Sequence, residues 1–187
     1  MTLANIMKLA LRQLDEAAED IAEYDELFRS YANMGYMIAL RLFLRPRETF
    51  ELTTDDQGRA DISALPVMRV VDMRNAQGRP VRFSISADGR AIGTEEKNTA
   101  VQALCEVERP ALEADTDEPE LPEHAHSALV DYICFRHLST GNLAKQSRAQ
   151  AFQNSFYTTA RRLKPQGRGS VTRMKNLYAM TDIRGGW

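Results

Sequence analysis

His124, His126, Cys134 and His137 come nearest to a constellation that could do metal chemistry. Three imidazoles and a thiolate are the donor types that zinc takes in tetrahedral sites. The spacing works against it: on a helix His126 and Cys134 stand two turns apart, about 12 Å, so one ion would require His124 and His126 to fold back from the first turn. Cys134 reads instead as a packed core residue beside partly exposed histidines, and no metal or cofactor is expected. The chain has no Gly-x-Ser-x-Gly turn, no phosphate-binding Gly-x-x-x-x-Gly-Lys-Ser/Thr loop and no His-Glu-x-x-His pair. No catalytic residue is therefore assigned, and an enzyme is disfavoured.

The other chemistry on offer is charge. From Arg136 to Trp187 the chain carries ten bases against the single acid Asp182, a balance of +9, so with a net charge of -2 the remainder carries -11. Such asymmetry points to a charged partner or to self-association. Basic residues alone fit nucleic-acid phosphates, an acidic protein surface or a solvated terminus. Apolar residues are interleaved with them, and exposed aromatics are costly unless they anchor something, which favours a protein groove. The candidate partner-binding set is Arg161, Arg162, Lys164, Arg168, Arg173, Lys175, Leu177, Tyr178, Ile183, Arg184 and Trp187.

These residues need a body to project from, and 187 residues suffice for one core with extensions. A hydrophobic fraction of 43% with 27% charged residues is ordinary for a folded globular chain. Cys105 and Cys134 lack a paired spacing, and the opening residues, interrupted by Lys8 and Arg12, do not read as a signal peptide; reduced, intracellular synthesis is the expectation. No run approaches the ~18 apolar residues of a membrane span.

Thr2 is placed to cap a first helix in which Leu3, Ile6, Met7, Ala10 and Leu14 recur at helical spacing. Ile21, Tyr24, Phe28, Tyr31, Gly35, Ile38 and Leu42 step by three and four through a second, which Pro46 ends. The two form an antiparallel hairpin or one broken helix, and seven acids from Asp15 to Glu26 make the corner negative. Gly35 inside the second helix marks a close approach of another backbone.

From Glu48 to Glu108 the period shortens. Strands are expected near Thr49–Thr53, Val67–Met73, Pro80–Ile85, Arg90–Ile92 and Thr99–Val107, with Asn75–Gly78 closing a hairpin. The acid-rich, proline-bearing stretch 109–122 reads as a solvated linker. A third helix then carries Leu129, Ile133, Cys134, His137 and Leu138 and stops at a left-handed Gly141. Asn142 caps a fourth, with Leu143, Phe152, Phe156, Ala160 and Leu163, that Pro165 ends. The fold class is α+β: about four helices, a small antiparallel β insertion and an extended C-terminal arm. The boundaries are one domain over 1–164 (helices 2–45, insertion 48–108, linker 109–122, helices 123–164) and an arm over 165–187.

Three stretches carry a family resemblance: the opening Met1–Leu11 with Tyr31-Ala-Asn-Met-Gly-Tyr36 and its exit into Phe50-Glu-Leu52; Leu65–Met73 with Gly78-Arg-Pro80; and Val101–Val107, Arg109-Pro110, the acidic stretch and Leu121-Pro-Glu-His-Ala-His-Ser-Ala-Leu-Val-Asp-Tyr-Ile133. In this order they resemble the head–tail connector adaptor proteins of tailed bacteriophages. The resemblance implies a non-enzymatic virion neck protein, synthesised in the bacterial host cytoplasm, that binds beneath the portal ring. It also implies neighbouring copies in a ring, commonly a dodecamer, a stopper or tail protein below, and DNA passing through without sequence-specific binding or any membrane. Two alternatives stand beside it: a nucleic-acid-binding module using the last helix and tail, and another neck component, a stopper or tail terminator.

Overall fold

The computed structural model describes residues 1–15 and 21–163, with no account of the Ile21 side chain. The whole arm, with Lys164 before it, and the acids Glu16, Glu19 and Asp20 therefore lie outside the described residues.

The chain is α+β, and its apolar residues gather into two separate clusters, one helical and one between sheets. Helix α1 (Leu3–Gln13) starts where expected: the Thr2 hydroxyl accepts from the Asn5 amide at 3.4 Å, and Leu3, Ile6, Met7, Ala10, Leu11 and Leu14 are buried. Helix α2 (Ile21–Ile38) packs against α1 as a separate helix.

The expected stripe of α2 is rotated in the structure. Phe28, Ala32, Tyr36, Ala39, Leu40 and Phe43 form the buried face, Tyr24, Tyr31 and Ile38 pack at its flanks, and Leu42 is 53% exposed. Two causes combine. Ala32 and Ala39 carry little weight in a hydropathy pattern but are what close packing needs. From Ala39 to Leu44 the helix also widens to a π segment, the Arg45 amide donating to the Leu40 carbonyl at 2.7 Å, and an extra residue per turn shifts the later side chains off the α-helical row. Arg45 then turns left-handed (φ 48°) and Pro46 prevents further helix.

Gly35 marks close packing, as expected, but its neighbour is a side chain. A Cβ there would lie 2.8 Å from Cγ of Tyr132, a buried ring braced by Phe135 and Phe156. That ring belongs to α3 (His126–Leu138), which follows a short 3₁₀ turn at Glu123–Ala125. Helix α3 does not stop on a left-handed Gly141, which is not among the glycines with positive φ. The hydroxyls of Ser139 and Thr140 donate to the Arg136 and His137 carbonyls instead, so no left-handed residue is needed to satisfy them. Helix α4 (Leu143–Arg161) begins on Asn142, whose side chain accepts from the Lys145 amide at 3.1 Å, and packs along α3 through Ala149, Phe156 and Ala160.

The insertion comprises β1 (Arg47–Thr53), β2 (Arg59–Asp61), β3 (Val67–Asn75), β4 (Phe83–Ile85), β5 (Ala91–Thr94) and β6 (Ala100–Val107). They form two antiparallel sheets, ordered β1-β6-β3 and β2-β5-β4, rather than the single sheet expected. Strand β2 was not foreseen. It follows a turn in which Asp55 Oδ1 accepts from the Gln57 and Arg59 amides, and Gly58 (φ 77°) passes so close to Thr94 that a Cβ would lie 2.2 Å from its carbonyl oxygen. The Asn75–Gly78 turn forms, but no extended hairpin grows from it: pairing stops at the Arg74–Pro80 bridge and the Val81–Met73 hydrogen bond. Pro80 has no N–H for a longer ladder. Strand β3 instead runs along β6, and the chain crosses to the second sheet as β4.

The stretch 109–122 is not a solvated linker; it is strapped to the helices. The amides of Leu3 and Ala4, free donors at the start of α1, donate to the carbonyls of Asp117 (2.8 Å) and Asp115 (3.1 Å). Asn33 on α2 grips Leu112 with both ends of its amide, at 2.7 and 2.9 Å, and the Glu120 amide donates to the Tyr36 hydroxyl. Leu112 and Leu121 are buried in the helical core. The acids remain outward because this segment uses its backbone and two leucines for attachment.

Two substitutions test this packing. Gly35→Ala should destabilise by about 1–3 kcal/mol despite alanine's better helix propensity, because the Tyr132 ring cannot yield; chemical denaturation would show it. Asn33→Ala should cost about 1–3 kcal/mol through the lost Leu112 pair, and hydrogen exchange should show faster exchange at Leu112.

Candidate assembly surface

The insertion leaves and rejoins the helical body at one place. Strands β1 and β6 pair from Arg47–Glu106 to Thr53–Ala100, and the Val107 amide donates to the Pro46 carbonyl at 2.9 Å, so entry and exit lie side by side. Ion pairs gather at this neck. Arg41 pairs with Glu108, Arg47 with Glu106 at 3.2 Å, and Arg109 donates to Glu48 at 2.5 Å while its Nε lies 2.8 Å from Glu120 without hydrogen-bond alignment. The hydrogen bond to Glu48 holds the Arg109 pKa above its ordinary value, against a smaller opposing effect of burial. Neighbouring hydrogen bonds to Asp115 and Asp25 do the same for Arg29.

Beside the neck lies a tight cleft with about 20 Å³ of room for a water-sized guest. Met37, Leu40, Pro46, Met68 and Val107 line it, with Arg41, Arg45 and Arg109 among its charged residues. Met68 is 49% exposed, and Arg45 makes no ion pair among the described residues. A second hollow adjoins it past Arg109, lined by Tyr36, Leu112 and the acids Glu113, Asp117, Glu118 and Glu120. Burial raises the Tyr36 pKa, while backbone donors from Ala114 and Glu113 lower that of Asp117.

A basic surface runs along α4. Lys145, Arg148, Arg161 and Arg162 project from it with no acid between Leu143 and Arg162, and Leu143 in its first turn is 84% exposed. Arg148 folds back to Asp15 at 3.3 Å. Arg161 and Arg162, the described members of the sequence-derived set, are exposed at the C-terminal end of α4. Lys164, Arg168, Arg173, Lys175, Leu177, Tyr178, Ile183, Arg184 and Trp187 lie outside the described residues.

The sequence did not single out Arg41 or Arg45, and it marked Arg109 only as part of the Arg109-Pro110 step. The available signal was Arg45-Pro-Arg47 at the entry and Glu108-Arg-Pro110 at the exit, charged pairs flanking prolines where the hydrophobic period changes.

The histidine–cysteine group is dispersed by the fold. Cys134 faces α1, its sulfur 3.7 Å from the Ala10 carbonyl; His126 Nε2 lies 2.9 Å from the Leu121 carbonyl; His137 meets the Tyr24 and Phe28 rings edge-on. Among the described residues no group of His, Cys, Asp and Glu is placed to hold a metal ion, and no helix is long and apolar enough to cross a membrane. Burial, with Asp131 nearby, pushes the Cys134 thiol up to about 12. The sequence matches no protein-family model and no curated protein.

Because the folded thiol holds its proton more tightly than the unfolded one, its contribution to stability is present in full below the unfolded pKa of ~8.5 and is lost as pH rises toward about 12. Cys134→Ala should lower stability at neutral pH but flatten its alkaline decline in pH-dependent denaturation. Native protein at neutral pH should resist alkylation at both buried cysteines, and unfolding should expose both.

Proposed function

We propose that this chain is a structural assembly protein, a head–tail adaptor of a tailed bacteriophage that seats as a ring beneath the portal and joins capsid to tail without catalysis. The observation that carries the reading is the order of elements: two N-terminal helices, a β insertion closed at its neck, an acidic strap, a Leu121-Pro122 helix entry and two further helices. That order follows the family resemblance along the described chain.

Surface charge supports assembly as the mechanism. A ring needs a heterologous interface, one face of each subunit meeting a different face of the next. The acidic strap and the acid-free, basic α4 supply two such faces on one subunit. The portal contact is assigned to the arm, whose Arg168, Arg173, Lys175 and Arg184 can make charge-assisted hydrogen bonds beside apolar Leu177, Tyr178, Ile183 and Trp187.

The cations of α4 favour a second reading, a nucleic-acid-binding module. Its signature would be affinity for DNA that falls steeply with salt. The adaptor reading requires salt-tolerant co-assembly with a portal ring and no such DNA affinity. Four helices speak against the third alternative, a stopper or terminator built mainly of β-structure.

Deleting 165–187 should leave the cooperative melt nearly unchanged and abolish or greatly weaken portal co-sedimentation. Trp187→Ala should weaken attachment by about 1–3 kcal/mol per site, amplified by avidity around the ring. Undiminished co-sedimentation of the truncated protein would assign docking to the helical body.

A further inference from the structure

The outer face of α2 is apolar where a solvated helix face is ordinarily charged. Phe28, Ala32 and Tyr36 turn one side of the helix into the core, and on the other side Leu27, Met34 and Leu42 are 42%, 40% and 53% exposed, with partly buried Tyr31 and Ile38 between them. The five recur at steps of four, three, four and four, so they form one stripe along the helix and its π extension. From Leu27 to Leu42 the stripe runs about 20 Å. Single exposed apolar side chains are ordinary, but a contiguous row marks a contact surface.

The rest of the described surface narrows what can cover it. A row of this length needs a row of similar length opposite. Outside α2 and its extension, the exposed large hydrophobic residues are Leu9, Met68, Ile85 and Leu143, each alone on a different element. None of those elements offers a row, whereas the same stripe on a second copy does. Charge then sets the orientation. Exposed Glu23 and Glu26 stand at the N-terminal end of the stripe, and exposed Arg41 and Arg45 at its C-terminal end. Arg41 is shared with Glu108, while Arg45 makes no ion pair among the described residues. A surface negative at one end and positive at the other repels its own copy in parallel and attracts it in antiparallel, and the helix dipoles favour the same arrangement.

We propose that α2 pairs with α2 of a second copy, antiparallel about a two-fold axis that passes close to Met34. Leu27 then faces Leu42 of the second copy, and Glu23 and Glu26 lie near the second copy's Arg45 and Arg41. Such a contact is isologous and closes at two. Two stripes of this size belong at or below the ~1,200 Å² low end of specific interfaces, so the pair forms and parts with concentration. It does not rest on the adaptor reading, whose ring contacts join unlike faces. Copies paired through α2 must part, or use other faces, to enter any larger assembly.

Sedimentation velocity of the full chain alone in buffer, from low-micromolar to several-hundred-micromolar protein, tests the pairing. The mean mass should climb from one copy toward two and no further. Met34→Asp sets two carboxylates against each other at the axis and should weaken pairing about tenfold or more while the circular-dichroism melt persists. Met34→Ala, which adds no charge, should weaken it several-fold and keeps the test open if the aspartate variant does not fold. Leu143→Asp, at an exposed leucine on another element, should change nothing. Glu23→Arg and Arg45→Glu should each weaken pairing alone, and an equimolar mixture of the two should restore it, because opposite charges then meet at both ends. Single copies throughout the range would overturn the pairing, as would pairing indifferent to folded Met34 variants. Growth beyond two copies would overturn the two-fold arrangement, and failure of the mixture to pair would overturn the antiparallel orientation. None of these outcomes involves a portal, so the adaptor reading stands or falls separately on co-sedimentation.

Discussion

The pairing of β1 with β6 is the constraint on which the rest of this structure depends. Helices α2 and α3 must meet so that Tyr132 can lie over Gly35, yet about sixty residues of β-structure separate the end of the π segment from the strap. The ladder returns the chain to within a hydrogen bond of its departure, Val107 to Pro46. An insertion with adjacent ends can fold around its own apolar cluster without stretching the helical one. The exposed ion pairs at the neck are each worth no more than about 1 kcal/mol, so they orient the junction while strand pairing and the two clusters hold it.

The strap completes that closure on the helical side and sets the charge distribution. Its backbone satisfies the start of α1 and the amide of Asn33, and Leu112 and Leu121 enter the core, which leaves its carboxylates outward. Acids gather along this segment and bases along α4, so the described surface carries charge of opposite sign on two elements. Backbone carbonyls and the two leucines carry much of this attachment, joined by the Arg29–Asp115 ion pair and the Asp117 carboxylate that accepts from the Glu113 and Ala114 amides.

Much of the helical frame was legible because caps and periodicity act locally. Thr2, Asn142 and Pro46 marked their boundaries, and five of the six strands lay where β-rich runs stood between turn signals. What escaped depended on partners distant in sequence. Strand β2 is three residues long, and its place is set by β5 and the Gly58–Thr94 contact. The strap looked solvated because five acids outweigh two leucines in composition, while the decisive acceptors are carbonyls, which every sequence has. The cleft was not legible: Met37 and Met68 lie on an α-helix and a strand, brought together only by the neck.

Arg109 shows how few groups join the two halves. It lies at the end of the β6 exit, donates to Glu48 on β1, faces Glu120 in the strap and lies near Tyr36 on α2. One guanidinium thus connects the insertion, the strap and the helical core. Its Nε is buried without an aligned acceptor, so Glu120 contributes attraction without fixing direction, whereas Glu48 contributes both. The guanidinium is therefore held more firmly by β1 than by the strap.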